Sequence, residues 1–167
     1  ISDDIPTAIV KVNLREFNFC DKLTMPMSVD LQSTKASPDS SHIFASSLDL
    51  TTGTTAIHKI STEYLALELS GELETAHTNP QIFQVEPEHL LYFCGGEPSR
   101  ICKLDYQLEL TDELIMELNG NELTNCTGLG NKIVCFDNMV PSCFHLVDES
   151  MQIEQSECFP GGDTGLT

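Results

Sequence analysis

Apolar and polar side chains alternate along most of this chain. Val10, Val12 and Leu14 recur at every second position, then the pattern shifts register to Phe17 and Phe19. A period of two with one slip predicts a strand over 8–20 carrying a bulge. Met25, Met27, Val29 and Leu31 continue the alternation as a second strand, and the polar run from Ser33 to Ser41 has nothing to bury and predicts a loop. Residues 43–50 and 54–60 bracket Thr51-Thr52-Gly53, the pattern of a hairpin with a short glycine-containing turn. Leu65, Leu67 and Leu69 alternate with Ala66 and Glu68. Cys102, Leu104, Tyr106, Leu108 and Leu110 line one face against Lys103, Asp105, Gln107 and Glu109, the clearest strand in the chain. Shorter strands are predicted over 133–136, 143–147 and 151–153.

Three segments fit a helix as well as a strand: 61–70, 86–93 and 111–119. In the last, Thr111 or Asp112 stands as N-cap, Leu114 and Leu118 lie four apart, and Gly120 follows as C-cap. The expectation is an all-β fold, an antiparallel β-sandwich of jelly-roll or Greek-key type, with at most one or two short helices. No internal repeat at a fixed period is legible. The length of 167 residues fits a single domain over 1–167, and the glycine-rich end, 160–167, reads as a flexible tail.

Charge narrows the partners. Eight Lys and Arg stand against 26 Asp and Glu, for a formal net charge of −18, and the basic residues are scattered. Nucleic acid and anionic membranes require a basic footprint, so both are excluded as expected partners. No run of about 18 apolar residues is present to form a membrane-spanning helix.

Seven cysteines, Cys20, Cys94, Cys102, Cys126, Cys135, Cys143 and Cys158, include no C-x-x-C pair, which argues for disulfides over zinc. Cys94 and Cys102 flank the turn-rich stretch 95–100, and Cys126 and Cys135 flank 128–131, so both pairs are placed to staple hairpins. The remaining pair and the odd thiol fall among Cys20, Cys143 and Cys158. A sequon at Asn125-Cys126-Thr127 predicts a glycan on Asn125, and with the cysteines predicts a secreted, extracellular chain. A start at Ile1 without a methionine or an apolar leader fits a mature product or a chain cut at that point, and the sequence does not separate the two.

Five cysteines adjoin a phenylalanine: Phe19-Cys20, Phe93-Cys94, Cys135-Phe136, Cys143-Phe144 and Cys158-Phe159. Strand neighbours point to opposite faces, so either the sulfurs or the rings lie on an outer face. An outer face carrying Phe needs a cover.

No G-x-S-x-G, H-E-x-x-H, phosphate loop or dinucleotide fingerprint occurs, and no cofactor is implied. The nearest approaches to metal-ligand groupings are Cys143 with His145 and Glu86-Pro87-Glu88-His89; oxygen donors for calcium stand at 119–122 and at Asp148-Glu149, without EF-hand spacing. The expected function is a non-catalytic structural, storage or recognition protein acting through self-association or assembly with other chains. The alternative is an extracellular carrier of a small hydrophobic ligand in a β-barrel or between sheets. The chain has no Trp, which removes the Gly-x-Trp motif of lipocalins and the core tryptophan of antibody-like domains.

Overall fold

A computed structural model describes residues 7–16, 18–26, 29–73, 81–94, 98–118, 123–137 and 142–159. Among these residues every regular element is a strand, and there are fourteen: β1 (Ala8–Asn13), β2 (Asn18–Thr24), β3 (Val29–Ala36), β4 (His42–Asp49), β5 (Thr55–Ser61), β6 (Ala66–Leu73), β7 (Gln81–Val85), β8 (His89–Phe93), β9 (Ser99–Asp105), β10 (Leu110–Met116), β11 (Leu123–Leu129), β12 (Lys132–Asp137), β13 (Cys143–Val147) and β14 (Ile153–Cys158).

They form four antiparallel sheets in chain order: a β1–β2 hairpin, a first sheet β3–β6, a second β7–β10 and a third β11–β14. Every strand pairs with its neighbour in sequence. The all-β class with disulfides stands. The Greek-key or jelly-roll order expected from the sequence is not seen, because no strand returns across a sheet to lie beside an earlier one.

The predicted helices are strands or turns. Leu114 and Leu118 are four apart, but four is also twice two. Along β10 and just beyond it, Leu114, Met116 and Leu118 fall on one side and pack into a single apolar cluster. Residues 62–65 turn into β6, and the end of the 86–93 segment is β8. The polar stretch read as a loop is β3 as far as Ala36. Its Ser33 hydroxyl shares a hydrogen bond with Ser46 Oγ at 2.7 Å and accepts the Ile82 amide at 2.8 Å, tying the first sheet to the second. Ser99 Oγ accepts the Leu123 amide at 3.0 Å and ties the second to the third. The single strand expected over 8–20 is instead a hairpin, β1 ending at Asn13 and β2 beginning at Asn18, with the irregularity in their pairing at Lys11/Val12. Residues 160–167, read as a flexible tail, and the oxygen donors at 119–122 lie outside the described residues.

Three apolar clusters fill the spaces between successive sheets. Ile9 and Leu23 of the hairpin pack with Ala45, Ile60 and Leu65 of the first sheet. Phe44 and Ile57 of the first meet Ile82, Leu90, Tyr92, Cys102, Leu104 and Leu108 of the second. Phe83, Leu91, Ile101 and Met116 of the second meet Leu123, Cys126, Ile133, Cys135, Val147 and Met151 of the third. The sheets are thus stacked in a row, each burying one face against the sheet before it.

A repeat hidden from the sequence emerges here. Leu65, Leu108 and Met151 each sit in the turn before the last strand of a sheet, each at positive φ (46°, 63° and 56°), and each is buried in the cluster toward the preceding sheet. Around two of them the hydrogen bonds coincide: Asp105 Oδ1 accepts the amides of Gln107 and Glu109, and Asp148 Oδ1 accepts those of Ser150 and Gln152. A left-handed non-glycine residue costs roughly 1–3 kcal/mol, and burying a Leu or Met side chain returns about 1.5–3 kcal/mol. Positions 65, 108 and 151 are evenly spaced, but only a turn geometry and an apolar side chain recur, too little for a sequence motif.

Buried polar groups carry a pH dependence. His58 lies between Ser47 Oγ (2.7 Å from Nε2) and Ser70 Oγ (2.8 Å from Nδ1), and burial pushes its pKa below the usual 6.5. In the window between 6.5 and the lower folded value the unfolded chain binds the extra proton, so stability is lost as pH falls through that window. His89 shifts in the same direction. Melting temperature measured from pH 7.5 to 5 is expected to fall, and His58→Asn is expected to flatten the slope. An unchanged slope in that variant would assign the effect elsewhere.

Candidate functional site

The third sheet decides which of its Cys-Phe neighbours faces inward. Cys126 lies opposite Cys135 across β11–β12, and Cys143 opposite Cys158 across β13–β14; both pairs are disulfide-bonded. Cys126 and Cys135 are buried toward the second sheet, and Cys143 is buried on the same face of β13 as Val147, which packs there. By alternation Val134, Phe136, Phe144 and Leu146 point the other way, in register as Val134 opposite Leu146 and Phe136 opposite Phe144, and all four are half-buried. Phe159 extends this outer face: its ring centroid lies 6.0 Å from that of Phe144, and it is 52% exposed. Among the described residues no further sheet covers this side.

The other end of the row is also apolar. On the hairpin, Ile9 and Leu23 turn toward the first sheet and Lys11 Nζ donates to the Thr62 carbonyl at 2.9 Å. Val10 and Val12 therefore point outward, at 53% and 47% exposure, and Phe19, paired with Val12, is 62% exposed. Both outward faces thus carry apolar side chains beside polar ones, with Lys22 opposite Val10 at one end and Gln155 and Glu157 opposite Leu146 and Phe144 at the other.

The third disulfide joins Cys94 to Cys102, and Cys20 is a free, exposed thiol. Three disulfides of this kind belong to an extracellular or otherwise oxidising environment. Asn125 is exposed on β11 opposite Phe136, at the rim of the outer face.

A cleft of about 750 Å³ opens between the second and third sheets. It brings together two groupings that are far apart in sequence: Glu86, Glu88 and His89 beside β7–β8, and Asp148 and Glu149 before β14, with Lys103 also in the lining. Burial pushes the His89 pKa down, helped by Lys103 and opposed by the neighbouring glutamates. Gln84 Nε2 donates to the Glu86 carboxylate, while its buried Oε1 has no hydrogen-bond partner among the described residues. No group of three or more His, Cys, Asp and Glu among the described residues is arranged to hold a metal ion. Cys143 is a half-cystine, and His145 is engaged by Asp137 Oδ2 at 3.3 Å and Ser156 Oγ at 2.9 Å, so that pair forms a buried polar network. Among the described residues no helix is long and apolar enough to cross a membrane.

The chain matches no family model and no curated protein. Solved structures do resemble it. A protein of unknown function from Bacteroides caccae aligns with a TM-score of 0.59 at 15% identity, over 86% of this chain and 52% of that one. The β-propeller domain of Cps50 (Swd1) from Myceliophteria thermophila aligns with a TM-score of 0.67 at 8% identity, over 93% and 50%. Hydrazine synthase from Kuenenia stuttgartiensis aligns at 0.64 and 10% identity, over 91% and 43%. This chain thus spans about half the length of these three structures. Four-stranded meanders stacked in a row, with a repeat near the 40–45 residues common in propellers, agree with that likeness: the fold is of β-propeller-blade type.

Proposed function

We propose that this chain is a non-catalytic structural or recognition module, secreted and working by assembly with other chains. The outer face of the third sheet carries this reading. Its two central strands are apolar there, through Val134, Phe144 and Leu146, where a solvent-facing sheet alternates to polar residues, and apolar surface of this kind, rimmed by polar Thr127, Gln155 and Glu157, marks a binding site. The net charge of −18 keeps such a chain soluble until the face is covered. A glycan on Asn125 would stand at the rim of the same face, so glycosylation and a bound partner compete there.

The carrier reading draws less support. The cleft has the volume of a small-molecule site, but its carboxylates suit a cationic or polar group rather than a hydrophobic cargo. Native mass spectrometry of non-reduced protein from its source, repeated after denaturation and after reduction, separates the cases. A defined multiple of the chain, or a stoichiometric complex with another chain, is expected. A monomer at high concentration with nothing bound would overturn the assembly reading, and a monomer that sheds a few hundred daltons on denaturation (the size of a small-molecule ligand) would make it a carrier.

A further inference from the structure

The three disulfides differ in what surrounds their sulfurs. Cys94, Cys102, Cys126, Cys135 and Cys143 are each 5% exposed or less, whereas Cys158 is exposed. Cys94 and Cys102 both belong to the cluster between the first and second sheets, and Cys126 and Cys135 to the one between the second and third. Cys126 also sits on β11, which lies beside β7 of the second sheet, so that bridge is shut in at both ends. Cys143–Cys158 joins β13 to β14, the far edge of the third sheet, and all six residues of β14 are exposed. Cys158 lies directly opposite Cys143 and so shares its face, the one turned toward the second sheet. Its exposure therefore comes from the place of β14 at the edge, and not from the outer face of the third sheet.

In thiol–disulfide exchange a thiolate attacks one sulfur of the bridge, and access decides which bridge and which sulfur yield. An approach to Cys158 comes from solvent off the edge of the sheet, while an approach to Cys143 is blocked by the sheet itself. We propose that Cys143–Cys158 is an exchange site for a small thiol of the glutathione class, with Cys158 the sulfur attacked, and that its opening releases the end of β14. The small thiolate forms a bond to Cys158 Sγ as the bond to Cys143 Sγ breaks. Cys143 leaves as thiolate and takes up the proton that the small thiol lost. The incoming sulfur is thereby oxidised to a mixed disulfide on Cys158, and Cys143 is reduced to a thiol. A second small thiol then attacks the first, leaves with it as a disulfide and frees Cys158 as a thiol. Exposed disulfides of this sort are the labile and regulatory ones.

What the bridge fastens is local. Beside it the Phe159 amide donates to the Ser142 carbonyl at 2.9 Å, and the Phe159 ring centroid lies 6.0 Å from that of Phe144. No residue of β14 belongs to a cluster between sheets. Opening is therefore expected to loosen 153–159 from β13 while the clusters stay closed, whether or not a partner covers the outer face.

Differential alkylation of the full oxidised chain tests this. Cys20 is first blocked with N-ethylmaleimide, reduced glutathione is added at neutral pH, and timed samples are trapped with iodoacetamide and mapped by peptide mass spectrometry. Glutathione is expected on Cys158 and the new thiol on Cys143. This bridge is expected to open more than about tenfold faster than the other two, whose sulfurs are reached only when a cluster opens. Urea below the unfolding transition is expected to speed the other two and to leave this one nearly unchanged. Deuterium uptake over 153–159 is expected to rise in the opened form, while the circular dichroism melt stays cooperative. Another bridge opening first, or all three opening at one urea-dependent rate, would overturn the exchange site. Glutathione on Cys143 would overturn the assignment of the attacked sulfur, and unchanged uptake over 153–159 would overturn the release of β14.

Discussion

Reducing all three disulfides is expected to abolish the cooperative melt of this chain. Cys94–Cys102, Cys126–Cys135 and Cys143–Cys158 close segments with sequence separations of 8, 9 and 15. Each bridge of this kind restricts the unfolded ensemble by about 2–4 kcal/mol, and three together approach the whole stability of an ordinary domain, roughly 5–15 kcal/mol. Two of the three lie in the third sheet, the one with a face left open. A thermal melt followed by circular dichroism, with and without a phosphine reductant, checks this, with thiol titration confirming full reduction. Cys20→Ser is expected to leave the oxidised melt unchanged, since Cys20 is exposed and unbridged. A reduced chain that still melts cooperatively near the oxidised midpoint would mean the apolar clusters alone hold the sheets.

Phe44→Ala is expected to cost about 3–5 kcal/mol. Phe44 is fully buried on β4 and points into the cluster between the first and second sheets, where its ring centroid lies 4.9 Å from that of Tyr106. The Tyr106 hydroxyl is fixed in turn by donating to the Glu86 carbonyl at 2.6 Å. Truncation leaves a cavity that fixed neighbours cannot fill, so most of the lost contact is not recovered. Phe44→Leu keeps much of the volume and is expected to lose far less. Urea unfolding reads the difference as a lower midpoint at an unchanged m-value. A loss below about 1 kcal/mol would mean that this junction contributes little and that each sheet stands by itself.

Both predictions concern how the sheets hold to one another, and so does the proposed activity. The same forces that bury Phe44 between two sheets leave Phe144 half-exposed on a third, because no described element follows it.

The all-β class was legible in the sequence because a half-buried strand writes its two faces into alternate positions, as in 102–104 and 143–147. The hairpins closed by Cys94–Cys102 and Cys126–Cys135 were legible for a similar reason, since a turn brings its own flanks together whatever surrounds it. So was the dilemma posed by the Cys-Phe neighbours, which alternation alone imposes. Alternation says that two faces differ and not what lies against each. Which face of the third sheet meets the second, and hence that sulfur goes in and Phe144 goes out, depends on contacts with residues more than thirty positions away, such as Phe83 and Leu91. The sheet order, the evenly spaced turn residues and the cleft joining Glu86 to Asp148 are likewise long-range outcomes. They arise from packing one sheet on the next, and a local pattern carries no information about a neighbour it has not yet met.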